Sequence, residues 1–523
     1  MSALPIVVVT SASGCTNKDL KRTALGLVQS TIRPQHWIVT QSTLEHERVT
    51  RMRPVRTSGM HVASNSINLD PQSVVVFLRA GDTLAPNALS VILEQLRTNP
   101  LAQMLYADSS HGRSGRFEEV SEVRRPGWSP ERLRSQCYVG DTLIATAQTV
   151  EAAGGISLLA DLHEHDRALR LSEHSQNISR IAELLTLSNQ YRMLPSASLS
   201  AVQEHCTRVG INAKCTTPYT VPVVRVNRHC ATAPKISVIV PTRGTVEAVR
   251  GNKVVLAAHA ISTLLGATKY PSIEVIAVLD KETPDESRRE IIAAGGGRLQ
   301  VVDYDRPFNF AEKVNLGVVC SDGEYILLLN DDTEMISPDA LETLVGLLQD
   351  PKVAMAGPML LYEDGLIQSA GHLLNPVPYD LYRHQSTDHV GAQYLLRAQR
   401  EVSGVIAACA LIKRSVFDEA GGLCTKFPSN YNDVDFGLKL HQLGYRTIWT
   451  PHAQFFHFES QTRSPKLQTF EMATIGARWR DMLDDDPYSN PQLERYVSVW
   501  KQNVIGQRSL LEALGPIAPI ASK

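Results

Sequence analysis

The most constraining feature of this chain is a recurring unit: a short apolar run, stopped abruptly, then an amphipathic stretch. Ile236-Ser-Val-Ile-Val240 is stopped by Pro241, and Ile273-Glu-Val-Ile-Ala-Val278 gives way to Asp280. Tyr325-Ile-Leu-Leu-Leu329 is stopped by Asn330-Asp331-Asp332. Helical periodicity follows in 340–348 and 434–443. Continuous apolar runs of this length suit strands buried on both faces, and their alternation with helices predicts an α/β domain with a mostly parallel sheet. Ligands of such sheets bind at the carboxyl ends of the strands. Ser337 and Pro338 predict the start of the helix that follows the third strand.

The first half repeats the pattern in weaker form. Pro5-Ile-Val-Val-Val9 resembles the strand at 236–240. Val74-Val-Val-Phe-Leu78, then Gly81-Asp82-Thr83 and Pro86-Asn-Ala-Leu89, resembles Tyr325–Leu329, Asp331-Asp332-Thr333 and Pro338-Asp-Ala-Leu341. Ala152-Ala-Gly-Gly155 resembles Glu419-Ala-Gly-Gly422, and Asp166-Arg-Ala-Leu-Arg-Leu171 resembles Asp435-Phe-Gly-Leu-Lys-Leu440. Equal order and near-equal spacing read as a tandem duplication. The division is expected as a first domain over 1–195, a linker over 196–234, a second domain over 235–480 and a C-terminal helical extension over 481–523. The linker assignment rests on a short helix mixed with Thr/Pro-rich text, Thr216-Thr-Pro218 and Ala231-Thr-Ala-Pro234.

Composition excludes several classes. The 523 residues suffice for two to four domains of ordinary size. With 52 basic and 54 acidic side chains the net charge is −2, so no basic excess exists to hold a nucleic-acid backbone, and no nucleic-acid partner is expected. No apolar run approaches the ~18 residues of a membrane span. The start, Met1 to Val9, has no cationic region and only a short apolar core, which argues against a secretory signal. The eight cysteines are scattered, without the close pairs of a zinc knuckle or a redox motif. The expected location is cytoplasmic, free or at the inner face of the cytoplasmic membrane, with reduced thiols. Residues 492–512 have amphipathic helical character, which suits packing or peripheral membrane association equally.

Three elements of the second half carry chemistry. Asn330-Asp331-Asp332 is either a turn feeding a helix or a divalent-cation site at a strand end, since hard cations take carboxylate oxygens. Asp433 and Asp435 open an amphipathic helix; acidic residues favour a first turn through the macrodipole, and a desolvated carboxylate there can also take a hydroxyl proton. His457, within Phe455-Phe-His-Phe458, is either a packed core histidine or a metal ligand.

Taken together, these elements resemble the bacterial family-2 glycosyltransferases, in particular the tandem-domain group with rhamnosyltransferases of surface-polysaccharide assembly. The resembling text is Lys235-Ile-Ser-Val-Ile-Val-Pro-Thr-Arg243, Pro307-Phe-Asn-Phe310, Asn315-Leu-Gly317, Gly323 to Asp332, Asn432-Asp-Val-Asp-Phe436 and His457-Phe-Glu-Ser460. In the first half, Pro126-Gly-Trp-Ser-Pro130 and Ser135-Gln-Cys-Tyr-Val-Gly140 match the group's leading domain. The resemblance implies a GT-A fold, here as two tandem Rossmann-like nucleotide-sugar transferase domains with the first degenerate. It implies an inverting single displacement on a nucleotide-activated sugar, dTDP- or UDP-linked, with Mn²⁺ or Mg²⁺. Position by position, Asp332 and His457 correspond to the metal ligands, Asp433 to the base and Asp435 to a residue that positions the site. Asp331 would face the sugar or ribose. Pro241, Thr242, Arg243, Asp280 and Asn315 would line the nucleotide. Lys313 and Arg463 are either phosphate-neutralising cations or solvated surface charges. The implied acceptor is a glycan or a lipid-linked oligosaccharide; oligomeric state is not readable.

This sequence departs from the family pattern at three places. Asp280 stands one position later than the family's aspartate after the second strand. Ala407 replaces a glycine near the acceptor, and Phe458 replaces a second histidine. In the first half, an ungapped alignment through Pro86 and Pro338 sets Ala80 opposite Asp332, and a two-residue gap sets Asp82 there. Glu164 then faces Asp433, Asp166 faces Asp435, and Thr186 faces His457. A first domain without catalysis, or one that binds acceptor, is expected. A non-catalytic scaffold or sugar-binding protein and a nucleotidyltransferase are the competing functions; Pro241-Thr-Arg-Gly244 is a poor version of the loop the latter needs.

Overall fold

The strand Ile236–Thr242 is buried along nearly its whole length, as its apolar run predicts, and it organises the second half of the chain. The computed structural model describes residues 4–40, 55, 62–63, 69–111, 121–188, 196–458 and 468–501. In the second half the sheet runs Leu299–Tyr304, Ile273–Asp280, Ile236–Thr242, Tyr325–Leu329, Cys409–Lys413, Val353–Leu361, Arg446–His457 and Thr333–Met335. The first four of these strands are mutually parallel; Cys409–Lys413 is antiparallel to both of its neighbours. Successive side chains go to opposite faces of the central strand. Val238 and Val240 pack with Ile261, Leu264 and Leu344 on one face. Ile239 packs with Val314, Val318 and Phe436 on the other.

The first half forms a sheet with the same strand order and the same strand directions: Val62–Ala63, His36–Thr40, Ile6–Ser11, Val74–Phe77, Leu143–Thr146, Met104–His111, Ile178–Ser188 and Thr83–Leu84. The mixed α/β architecture expected from the sequence is thus present in both halves.

The segment 196–234 differs from the expected linker. It folds as a helix, Leu199–Arg208, and a hairpin of Ala213–Thr216 with Arg225–Arg228. Val202, Cys206, Val224 and Val226 join the core of the first sheet, so burial of this apolar set makes the segment part of the first domain. The helix after Tyr325–Leu329 is Ala340–Leu347, starting later than Ser337 and Pro338 predict. The hydroxyl of Ser337 instead accepts from the Gln454 backbone N–H at 3.1 Å, tying the turn to the neighbouring strand.

The described part of the C-terminal region also differs from expectation; residues 502–523 of the expected helical extension lie outside the described residues. The helix there is Thr469–Asp484, and the described residues 485–501 are not helical. Ser489 and Asn490 reach the first domain instead, while Glu494, Val497 and Ser498 accept through their carbonyls from Asn375 and Tyr382 of the second half. Asn490 Nδ2 donates to both oxygens of Asp108 at 3.1 Å and to the Arg125 carbonyl at 2.8 Å. Gly127 N–H donates to Ser489 O at 3.2 Å. A side chain at Gly127 would collide with the Pro487 carbonyl, 1.7 Å from its Cβ, so glycine is required for this approach. Buried charge joins the two halves: Glu401 accepts from the Ser129 hydroxyl and the Glu131 N–H, and pairs with Arg446 at 2.5 Å. Among the described residues no helix is long and apolar enough to cross a membrane.

Candidate active site

Three adjacent parallel strands of the second sheet end at one edge, and their last residues meet there. Thr242 ends the central strand. Its hydroxyl donates to Asp331 Oδ2 at 2.6 Å and accepts from the Gly244 N–H at 2.9 Å. Asp280 ends the next strand, where Lys313 holds it. The Lys313 ammonium donates to Asp280 Oδ1 and to the Thr242 carbonyl, both at 2.7 Å. Lys313 is 1% exposed. It comes from the helix Phe310–Val319, whose N-cap Asn309 accepts from the Glu312 N–H at 3.1 Å. Burial lowers its pKa, and the hydrogen bond to Asp280 opposes that shift. Lys313 is therefore not a surface charge: two of its three donors clamp two strand ends together.

Asp331 and Asp332 follow the third strand and are both buried. Burial, with the charge of Asp332 added, pushes Asp331 up to about 7, against the stabilising hydroxyl of Thr242. Sheet pairing brings His457 beside them. Thr333 pairs with His457, and the Phe458 N–H donates to the Asp332 carbonyl at 2.9 Å. His457 Nε2 then lies 3.1 Å from Asp332 Oδ1. The other ring nitrogen, Nδ1, is 2.7 Å from Gln368 Oε1. An amide oxygen only accepts, so Nδ1 carries a proton and the imidazole lone pair of the neutral ring is Nε2, aimed at the carboxylate. Two acceptors this close require a proton or a cation between them. The buried Asn330 Oδ1 beside them has no hydrogen-bond partner, and Asn330 Nδ2 is 3.4 Å from His457 Nε2. A carboxylate, an imidazole nitrogen set by an amide, and an unsatisfied amide oxygen are donors that fit a divalent cation of the Mn²⁺ or Mg²⁺ kind.

Asp433 lies in the first turn of the helix Asn432–Gln442, entered through Tyr431 at φ +59°. Its oxygens accept from the backbone N–H groups of Val434 at 2.8 Å and Ala407 at 3.2 Å. Ala407 thereby serves the site through its backbone. Half-buried Asp380 has its pKa raised, first by desolvation and also by the charge of Asp433. Asp435, two residues on, is on the opposite side of the helix. It is fully buried, accepts from Trp479 Nε1 at 2.8 Å and pairs with Arg478 at 3.2 Å. Its carboxylate holds the helix Thr469–Asp484. It belongs with the positioning residues, not with groups that touch substrate.

The Asn315 amide donates to the Leu423 carbonyl and accepts from the Leu423 N–H, both at 2.9 Å. Both its polar atoms thereby fix a loop beside the site. Pro241 is half-buried in its strand, and Arg243 is exposed with its charge felt at Asp331. Arg463 lies outside the described residues, as do Glu459 and Ser460. Gln368, on the three-residue strand Ile367–Ser369, was invisible to sequence reasoning because no motif surrounds it.

Strand register corrects the comparison of the two halves. Ile6 pairs with Val74 as Ile236 pairs with Tyr325. Equal spacing then matches Thr83 with Glu334, and their partners Leu187 and Phe456 match in turn. Hence Gly81 stands where Asp332 stands, Ala80 where Asp331 stands, and Ser188 where His457 stands. Neither Ala80 nor Asp82 opposes Asp332, and Thr186 is two residues from the histidine position.

Residues 237–421 match the model of Glycosyl transferase family 2. The chain is 29% identical over 447 residues to an O-antigen biosynthesis protein of Myxococcus xanthus, covering 80% of this chain and 34% of that protein. It is 29% identical over 470 residues to an uncharacterized protein of Sinorhizobium fredii, covering 83% of this chain and 50% of that one. An N-acetylglucosaminyl-diphospho-decaprenol L-rhamnosyltransferase of Mycobacterium tuberculosis is 22% identical over 149 residues, 27% of this chain and 48% of its own. The chain thus spans between about a third and a half of these relatives' lengths. Among solved structures, a mannosyltransferase from Pyrobaculum calidifontis aligns with TM-score 0.34 and 16% identity, over 54% of this chain and 73% of that one. GalNAc-T7 aligns with TM-score 0.38 and 14% identity, over 54% and 55%. Residues 237–421, within the second half of the chain and on its α/β sheet, thus match a glycosyl transferase family 2 domain.

Proposed function

We propose that this chain is a metal-dependent, inverting glycosyltransferase of cell-surface polysaccharide synthesis. The donor is a nucleoside-diphosphate sugar, dTDP-rhamnose or a similar dTDP- or UDP-sugar, and the acceptor is a hydroxyl of a glycan or lipid-linked oligosaccharide. The observation that carries the reading is the Asp332–His457 pair, 3.1 Å apart at a strand end beside the buried carboxylate of Asp331. The O-antigen and rhamnosyltransferase relatives support the pathway class.

The residues divide the work. Asp332 and His457 would hold the cation, and Gln368 fixes the tautomer that leaves Nε2 available. A cation bound there supplies charge that offsets the diphosphate. Thr242, at the end of the central strand, orients Asp331 toward the donor side. Asp433 takes the proton of the acceptor hydroxyl as its oxygen attacks the anomeric carbon. The bond from that carbon to the phosphate oxygen breaks, its electron pair leaves with the nucleoside diphosphate, and configuration inverts. Positioning and charge stabilisation provide most of the acceleration, and no covalent intermediate is needed.

A thermal-shift panel of UDP, dTDP, GDP and CMP, each with and without Mn²⁺, tests this without knowledge of the acceptor. A ligand at about 100 times its Kd stabilises by about 2.7 kcal/mol, a shift of a few degrees. The expected result is a Mn²⁺-dependent shift with one diphosphate. No shift with any of them in a folded sample would overturn the transferase reading in favour of a scaffold.

A further inference from the structure

The first domain has a cavity of about 50 Å³ at the carboxyl ends of its strands, lined by Asp82, Ser109, Arg125, Glu164 and Ser188 among others. It occupies the place in the first sheet that the candidate active site occupies in the second. The register sets Ser188 at the histidine position, and the helix alignment sets Glu164 at the position of Asp433. Both metal-ligand positions are lost, to Gly81 and Ser188, so this pocket has no means of neutralising a diphosphate. Its charge is also wrong for one: Asp82, Asp141 and Glu164 line it against a single lining guanidinium, Arg125, with Asp141 paired to Arg79 at 3.5 Å.

The same lining suits hydroxyl groups. Carboxylates are strong acceptors for a sugar O–H, and Ser109, Thr186 and Ser188 can donate or accept. Two polar atoms of the pocket's lining residues lack partners: Arg125 Nε, on a residue 5% exposed, and Gln393 Oε1. A hydroxyl both accepts and donates, so it can satisfy either. The volume holds roughly three or four water-sized groups, which fits the hydroxyl-bearing edge of a sugar ring.

Gln393 comes from the other half of the molecule, in the 372–402 segment. Its side-chain amide donates to the Arg124 carbonyl at 2.9 Å, and the Gln393 backbone carbonyl accepts from Gln136 Nε2 at 3.0 Å. Gln393 and Tyr394 hold φ at +52° and +58°. Two successive non-glycine residues in the left-handed region store strain, which accumulates at ligand-binding loops. An occupant of the first-domain pocket therefore touches a loop of the transferase half.

We propose that this pocket is a non-catalytic saccharide site that binds neutral, hydroxyl-rich units of the acceptor glycan, with Gln393 reaching across from the second half to complete it. The identification of its occupant as acceptor rests on the transferase reading above.

Saturation-transfer NMR and calorimetry on the full chain, without nucleotide and with EDTA, test it. The probes are methyl glycosides of rhamnose, galactose, glucose and N-acetylglucosamine, and disaccharides of these. At least one should bind with a Kd of order 1 mM. Gln393→Ala and Glu164→Gln should each weaken that binding by about fivefold or more, the loss of one hydrogen bond, in variants with native melting curves. Asp332→Asn should leave it unchanged. Absence of binding across the panel, binding indifferent to both pocket variants, or binding lost with Asp332→Asn would overturn the proposal. Failure of the transferase reading is read independently, from the Mn²⁺-dependent nucleotide shift, which involves no saccharide.

Discussion

Gln368 Oε1 stands 2.7 Å from His457 Nδ1, and this contact decides which ring nitrogen faces Asp332. Partners of this kind fix ligand orientation, and their loss typically costs 10–100-fold in metal affinity. His457→Ala should raise the Mn²⁺ concentration needed for half-maximal transfer most, and Gln368→Leu should raise it by about tenfold. Titration of Mn²⁺ by electron paramagnetic resonance reports the affinity directly. An unchanged Mn²⁺ requirement in His457→Ala would remove the histidine as a ligand.

Asp433 accepts from two backbone N–H groups, which hold its carboxylate still at the helix entrance. Asp433→Asn keeps the side chain's size and one of the two acceptors, and removes the base. Donor binding should persist while transfer falls by about 10²-fold or more. Single-turnover transfer beside donor titration separates the two, and near-normal transfer would exclude Asp433 as the base.

Lys313 bridges Thr242 and Asp280 from a buried position. Lys313→Met would leave the Asp280 carboxylate without its cation and the Thr242 carbonyl without its donor. Charged hydrogen bonds contribute about 1.5–3 kcal/mol each. Because the Asp280 side chain keeps 18% exposure and can recruit water, the loss should fall toward the lower figure. Urea unfolding measures it. Wild-type stability would show that the clamp contributes nothing net.

The fold and the residue types of the site were legible in the sequence because both depend on local text. Tyr325–Leu329 is a strand with the bounds its apolar run predicts, and the carboxylates after it are where chain reversal at a sheet edge puts them. Partnerships across the chain were not legible. That both polar atoms of Asn315 go to Leu423 shows in no local text. Asp435 shares a helix turn with Asp433, but the 3.6-residue period turns it onto Trp479. Thr186 was set opposite His457 because alignment through a proline cannot place gaps; only hydrogen-bonded register does, and it selects Ser188. The 196–234 segment reads as a linker until its few apolar residues are seen joined to a core drawn from residues 7 to 171.

Glu131 joins the domains as a buried carboxylate, and its titration should be visible in acid unfolding. Burial alone would raise its pKa, but the guanidiniums of Arg228 and Arg134 outweigh burial and hold it at about 2. Arg228 reaches it at 2.7 Å, and Gln399 of the second half donates to it at 3.3 Å. The folded value lies below the unfolded value of about 4.5. The group therefore contributes stability that is complete above about pH 4.5 and is lost as pH falls toward 2. A shift of this size corresponds to about 3 kcal/mol. Glu131→Gln should flatten that part of the stability profile and lower stability at neutral pH, where the arginines lose their counter-charge. Urea midpoints between pH 3 and pH 7 measure the slope, and an acid limb as steep as in the wild type would mean that other carboxylates carry it.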